Sequence, residues 1–277
     1  MIRSNLLFVP SGGLANRMRA IASAFNLCQQ VEARLQIVWF QGWGMHAAFH
    51  DLFEPIANLR EAVLTDYIVN DRPRRHNLWL PWLPQQIWYK GGVINELEVA
   101  NLRDKGFDFE QWLHSKRRYM SCYDEFGVFP DSCYSELFHP NQIVMDIIKS
   151  YEAHFSKNVI GMHIRRTDNI DSINKSPTEL FVEAGHRELE NNANLTIFLA
   201  TDSEEVKKQI REIFGNHVVT SDNKADRNSV AGIREGLADL WTLSRVSRIY
   251  GSAGSSFSTM ASKIGGRELI VLENKNP

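Results

Sequence analysis

The feature that most constrains this chain is a recurring one: a short apolar run that stops abruptly at polar residues. It is clearest in VIGMHIRRTDN, residues 159–169, where apolar positions lead directly into a histidine, two arginines and an aspartate. The next residues, NIDSINKSP, cannot continue a strand. A run bounded in this way is the pattern of a strand buried on both faces, as in a parallel sheet covered by helices. The polar residues then fall at the carboxyl end of the strand, where open α/β sheets bind their ligands.

The pattern repeats along the chain. NLLFVP (5–10) reads as a buried strand, LANRMRAIASAFNLCQQVEA (14–33) as a helix and RLQIVWF (34–40) as the next strand, which makes a β-α-β unit. Between about 55 and 115 the periodicity weakens, and Pro, Trp and Arg cluster in DRPRRHNLWLPWLPQQIWYKGG. This part reads as an irregular insertion with short helices. A strand follows at 117–123, then a stretch broken by Pro and Gly as far as Pro140, and a helix in NQIVMDIIKSYEAHF.

Beyond it, strands at 158–164, 194–200, 217–220, 246–250 and 268–272 alternate with helices at 177–192, 203–214, 230–244 and 256–264. The spacing predicts two α/β lobes, 1–139 and 140–277, with a cleft between them as the natural substrate site. A length of 277 residues suits two cores of that size.

Composition narrows the function. Charged residues make up 23% without an acidic or basic block, and the formal charge of -2 argues against a general nucleic-acid binder. Cys28, Cys122 and Cys133 are odd in number and form no CxxC pair, so neither a disulfide framework nor a structural zinc site is expected. The opening MIRSNLLFVPSGG is too short an apolar run for a secretory signal or a membrane span, and a soluble cytoplasmic protein is the expectation.

The polar residues that follow strands are the candidate site. In PSGGLANRMRA, Gly12 and Gly13 allow positive φ and leave backbone N–H groups open at a helix start, with Asn16 and Arg17 in the first turn able to reach into a cleft. In HIRRTD, period-two alternation sends His163 and Arg165 to one side and Arg166 to the other. Arg165 then faces a bound anion, which its planar guanidinium can grip at two oxygens, while Arg166 anchors the loop through Asp168 or Asp171. Asp202, Glu204 and Glu205 read as helix-capping acids, not a metal site. GSAGSSFS lacks the GxSxG pattern of a nucleophile elbow, and its hydroxyls and helix-start N–H groups suit a pyrophosphate.

His46 and His50 have the i, i+4 spacing of metal ligands but no evident third ligand, which leaves packing or contact with an acceptor. The aromatic cluster Trp79, Trp82, Trp88 and Tyr89 reads first as core filling and second as a sugar-stacking surface, with a membrane surface as the third use.

Taken together, GGLANRMRA, GMHIRRTD, IFLATDSEEV, SDN and ADLWTLSRVSRIYGSAGSSFSTMA occur in the order seen in the GDP-fucose-dependent fucosyltransferase superfamily. The chain most resembles the bacterial nodulation and core α1,6 enzymes and, more distantly, the protein O-fucosyltransferases. The resemblance is good over 158–265, fair over 5–55 and absent between. It implies a GT-B type fold of two Rossmann-like lobes, with acceptor on the first and GDP-sugar on the second, and inverting transfer without a metal or other cofactor.

Carried over by position, Arg165 binds the β-phosphate with His163 beside it. Asp222 receives the guanine amino groups, Asp239 supports that pocket, and Ser256, Phe257 and Ser258 surround the nucleotide. Asn16, with the Gly12–Gly13 turn, approaches the fucose or the attacking hydroxyl. His46, His50 and Trp82 are candidate contacts for an oligosaccharide or glycolipid-linked acceptor, the latter compatible with a peripheral membrane contact. The core α1,6 enzymes carry a Lys and a Glu associated with acceptor deprotonation, and the corresponding positions here are Asn169 and Ile173. Asp171 is the nearest carboxylate that could act as base, with Asp168 as the alternative. Another nucleotide sugar as donor, or a catalytically silent binding module, are the competing readings.

Overall fold

The computed structural model describes residues 4–42, 44–70, 82–167, 170–223 and 225–274, and excludes the side chains of Trp82, Pro84 and Asp171. The chain divides into two compact units, Met1–His139 and Pro140–Pro277.

In the first unit the elements run β1 (Asn5–Pro10), α1 (Leu14–Gln30), β2 (Arg34–Trp39), β3 (Leu59–Glu61), α2 (Leu64–Val69), α3 (Trp82–Trp88), β4 (Val93–Ile94), α4 (Val99–Asp104), α5 (Phe109–Leu113), β5 (Arg117–Cys122) and α6 (Ser132–Leu137). The five strands order as β3-β2-β1-β5-β4, each pair parallel. Leu6, Phe8 and Val9 of β1 are buried because this central strand has covered faces. Helix α1 stops at Gln30, earlier than the apolar pattern suggests, and Glu32 takes a φ of 51° in the turn that follows.

The insertion expected over 55–115 is more regular than its sequence. It contains α2 to α5 and contributes both edge strands, β3 and β4. Those strands are three and two residues long, too short for a period to show. Helix α6 likewise lies in the stretch that Pro and Gly residues made look irregular.

The second unit runs α7 (Gln142–Glu152), β6 (Val159–Ile164), α8 (Ile170–Lys175), α9 (Thr178–Asn191), β7 (Thr196–Thr201), α10 (Glu204–Phe214), β8 (Val218–Val219), α11 (Val230–Leu243), β9 (Arg248–Ser252), α12 (Ser256–Gly265) and β10 (Glu268–Leu272). Its sheet orders as β10-β9-β6-β7-β8, all parallel. Ile160, Met162, Ile164, Phe181, Ile197 and Leu199 form its core.

Two glycines set the helix-to-sheet spacing. A Cβ on Gly161 would sit 2.6 Å from Leu243 Cδ2, and one on Gly251 would sit 2.6 Å from Ser258 Oγ, so α11 and α12 approach β6 and β9 more closely than any larger residue permits. Helix α8 replaces the loop expected after RRTD, and β9 ends at Ser252, two residues beyond its expected limit.

Candidate active site

Each sheet has one topological switch point. In the second unit the chain leaves β6 towards β7 on one side and returns as β9 on the other, so the ends of β6 and β9 frame a crevice of the kind that binds ligands in α/β sheets. His163, Arg165 and Arg166 stand at one edge of it, and residues 252–258 at the other.

The backbone of this β6 end is held from both sides. Ser252 Oγ accepts from Arg165 N at 3.1 Å and donates to His163 O at 3.3 Å. Asp202, at the end of β7, accepts from Arg166 N at 2.7 Å and from Thr167 Oγ1 at 2.7 Å. The helix-capping role expected of Asp202 belongs to Ser203, whose Oγ accepts from Val206 N. Asp202 instead clamps the RRT segment, because a carboxylate leaving β7 lies nearer the neighbouring strand end than the first turn of its own helix. The carboxylate also lies 3.8 Å from Arg227.

His163 is 5% exposed, stacks on Phe257 with ring centroids 4.7 Å apart, and has Nδ1 3.3 Å from Ser255 Oγ. Burial, reinforced by the Arg165 charge, lowers its pKa to about 3. It is therefore a neutral imidazole that orders Phe257 and Ser255, and not a second cation for a phosphate.

Arg165 is half-buried. Arg166 is committed to the fold through neutral acceptors: Arg165 O at 2.7 Å, Ser176 O at 2.8 Å and Thr178 Oγ1 at 2.9 Å. It brackets α8 with carbonyl and hydroxyl partners among the described residues, and the ion pair expected with Asp168 or Asp171 falls on side chains outside the description. Asp168 lies outside the described residues. Asp171 lies on α8, which Ser172 Oγ to Ala253 O and Ala253 N to Ser176 Oγ (2.7 Å) bolt to the end of β9.

Helix α12 opens without a side-chain cap, whereas Asn141, Ser203 and Ser229 cap α7, α10 and α11. Its first turn, which has no side-chain cap among the described residues, lies beside His163 and suits an anion. Ser256 is exposed there and Phe257 half-buried, but Ser258 is 1% exposed and donates to Ser255 O, so it packs α12 onto Gly251 and does not line the crevice.

A second polar cluster lies on α11. Glu235 accepts from Tyr151 OH at 2.5 Å, Ser221 Oγ at 3.1 Å and Asn223 Nδ2 at 2.7 Å, and so fixes both neighbours of Asp222. Asp222 itself is exposed and pairs with Arg211 at 2.5 Å. Asp239 is different. Its Oδ1 is shut off from solvent without a hydrogen-bond partner among the described residues, and burial together with Glu235 raises its pKa to about 8.

In the first unit the switch point lies between β1 and β5. Gly12 has a φ of +78°, and a Cβ there would meet Asn16 Nδ2 at 3.0 Å, so the turn and Asn16 form one packed unit beside Gly13, the N-terminal residue flanking α1. Arg17 does not reach into a cleft. It is 1% exposed, donates to Gly12 O at 2.8 Å and Phe40 O at 2.6 Å, and lies 4.6 Å from the Trp39 ring centre, so it ties the ends of β1 and β2 together.

Two carboxylate contacts in this unit, one buried and one part-buried, have no counterpart among the sequence expectations. Ser11 Oγ donates to Glu96 Oε2 at 2.7 Å, and Glu61 accepts from Phe49 N at 2.7 Å with His50 at 3.7 Å. Glu61 ends β3 and Glu96 lies two residues after β4, and no local pattern marks either. His46 and His50 are exposed, and Trp82 opens α3 with its side chain outside the description. Of the aromatic cluster, Tyr89 fills the core at 4% exposure and Trp88 does not, at 52%, while Trp79 lies outside the described residues. Among the described residues no group of three or more His, Cys, Asp or Glu could hold a metal ion, and no helix is long and apolar enough to cross a membrane. Cys28, Cys122 and Cys133 are free and buried.

No protein-family model matches the chain, and no curated protein matches it. Solved structures do. The α-1,6-fucosyltransferase NodZ, in a crystal soaked with GDP-fucose, aligns with a TM-score of 0.62 at 18% identity over 95% of this chain and 92% of its own. NodZ from Bradyrhizobium gives 0.61 at 18% over 94% and 92%. POFUT1 in complex with GDP-fucose gives 0.60 at 11% over 97% and 98%, and Arabidopsis thaliana FUT1 in complex with GDP gives 0.62 at 11% over 98% and 70%. The two parallel α/β sheets of this chain are those of the GT-B fold found in these fucosyltransferases.

Proposed function

We propose that the protein is a glycosyltransferase that moves fucose from GDP-fucose to a saccharide hydroxyl, with inversion and without a metal. The observation that carries this reading is the β6/β9 switch point: Arg165 on a strand end clamped by Ser252 and Asp202, beside the uncapped start of α12. Such an arrangement suits a pyrophosphate. As the bond from the anomeric carbon to the phosphate oxygen breaks, its electron pair stays with GDP. Fixed donors at that oxygen act most strongly in the transition state.

The acceptor oxygen forms the new bond from the opposite face and gives its proton to a carboxylate, for which Asp171 on the bolted helix α8 is the nearest candidate and Asp168 the alternative. Asn16 and the Gly12–Gly13 turn belong to the acceptor side, with His46, His50 and Trp82 as outer contacts.

For the base, Asp239 is better suited than Asp222 to read guanine. Asp222 already has a guanidinium partner in water, whereas Asp239 holds an oxygen without a hydrogen-bond partner among the described residues, and guanine N1–H and N2–H are donors that would suit it. The Arg166 guanidinium donates to Ser176 O and Thr178 Oγ1, so Arg166 supports the donor site through the segment it orders. NodZ and POFUT1, crystallised with GDP-fucose, share the fold and so favour this donor.

The test is release of GDP from GDP-fucose by the purified protein in EDTA, with and without a panel of oligosaccharide acceptors. Turnover in EDTA supports the reading. Turnover that needs magnesium or manganese, or none from GDP-fucose beside turnover of another nucleotide sugar, overturns it.

A further inference from the structure

Arg227 lies between β8 and α11, on a segment built to hold one position. Asn228 N donates to Asp226 Oδ1 at 2.8 Å, and Ser229, the N-cap of α11, accepts from Gly232 N at 3.1 Å. Gly232 weakens the helix it belongs to, but a Cβ there would sit 1.9 Å from Asp226 O. The glycine thus lets the backbone beside Arg227 fold back onto the first turn of α11, an approach that any larger residue would block.

From that position Arg227 reaches the end of β6. Its Nη2 lies 3.8 Å from Asp202 Oδ2, on the carboxylate that accepts from Arg166 N and Thr167 Oγ1. It also lies within electrostatic reach of His163. Burial is the first cause that keeps that ring neutral, and the charges of Arg165 and Arg227 both act in the same direction. Two arginines from separate segments of the chain therefore meet at one strand end.

The charges at this strand end call for such a group. Asp202, 15% exposed, holds the β6 end in place, yet a carboxylate beside a pyrophosphate repels it. His163 supplies no positive charge, and Arg166 is turned to Ser176 O and Thr178 Oγ1. Arg165 can grip two oxygens, and a diphosphate presents more than two. Arg227 offsets Asp202, and its side chain is 52% exposed. A guanidinium has five donors in a planar fork, so it can keep a carboxylate partner and still bind phosphate oxygens. We propose that Arg227 is the second cation of the pyrophosphate site, joining Arg165 on the diphosphate of the donor. This role rests on the donor reading above, since only a diphosphate gives a second cation something to bind.

The test is calorimetric titration of the full chain with GDP and with GMP, in wild type, Arg227→Gln and Arg227→Lys. GMP keeps the guanine and one phosphate, so the comparison isolates what the second cation contributes. Arg227→Gln weakens GDP binding by about tenfold or more and GMP binding by less than about threefold, and Arg227→Lys recovers part of the loss. Urea unfolding of each variant shows that the fold is intact. If Arg227→Gln does not fold, a GDP-to-GMP preference in Arg227→Lys below that of the wild type carries the test. A preference unchanged in every folded variant overturns the inference and leaves the donor reading standing. So does equal weakening of GDP and GMP together with a lower unfolding midpoint, which is the result expected of an arginine that only braces Asp202. A wild type that binds neither nucleotide overturns the donor reading, and the inference with it.

Discussion

Replacing Asp239 by Asn should change how both stability and GDP binding depend on pH. The carboxyl titrates at about 8 in the folded chain, raised first by burial and then by Glu235. Its ordinary value is 3.8. Between those values the folded state holds a proton that the unfolded state has lost, so stability falls as pH rises. The contribution is fully present below the lower value and gone above the higher one. At about 1.4 kcal/mol per pH unit, the wild type loses on the order of 4 kcal/mol between pH 4 and pH 7 from this group alone. Asp239→Asn cannot titrate, so its stability should rise relative to wild type through the same window.

GDP binding should show the converse. If guanine donates to the carboxylate, binding requires the ionised form, which is roughly 1% of the free protein at pH 6 and about 10% at pH 7. Affinity relative to Asp239→Asn should therefore climb about tenfold over that unit and level off above pH 8, and the ratio cancels titration of the GDP phosphate itself. Urea unfolding and calorimetric titration of both proteins from pH 5 to 9 measure the two effects. Parallel stability profiles would refute the buried, protonated carboxyl. Diverging stability with parallel GDP affinities would refute its contact with guanine alone.

Arg165→Lys keeps a charge but loses the two-point grip, and GDP release from GDP-fucose should slow by roughly 10² to 10³ while GDP affinity changes less. An active variant would move the donor elsewhere. Asp202→Ala removes the acceptors of Arg166 N and Thr167 Oγ1, and urea unfolding should show a loss of about 2 to 4 kcal/mol together with weaker GDP binding. A stable variant with intact GDP affinity would show that the clamp is dispensable. Gly161→Ala places a methyl 2.6 Å from Leu243 Cδ2, and a loss of about 1 to 3 kcal/mol in denaturant unfolding is expected, against no change if α11 can withdraw freely.

What the sequence made legible follows from element length. Strands β1, β6 and β7, each six residues long and buried, announce themselves by composition, and the polar residues at the end of β6 include His163 and Arg165. Strands β3 and β4 are too short to carry a period, and Glu61, which ends one, and Glu96, two residues after the other, have no local signature. Local patterns also misassign residues whose partners are distant. Asp202 has the spacing of a helix cap, yet it bonds to residues 35 and 36 positions away. Ser258 has the spacing of a crevice hydroxyl, yet it packs against Gly251 because β9 runs on to Ser252. Helices α2 and α3 invert the usual rule, with Asp66 and Gln85 buried while Leu64 and Ile87 are exposed, and any reading that places apolar residues inside must fail there.

The central claim is that the ends of β6 and β9 hold a guanine nucleotide, and the most direct measurement compares the melting temperature of the protein with saturating GDP, UDP and ADP. Pyrophosphate contacts at Arg165 and α12 are common to all three, whereas a carboxylate partner for N1–H and N2–H serves guanine only and contributes about 1.5 to 3 kcal/mol. A clear rise with GDP and a much smaller one with UDP or ADP is expected. Equal rises with all three nucleotides would contradict the guanine assignment, and no rise with any of them would contradict the site.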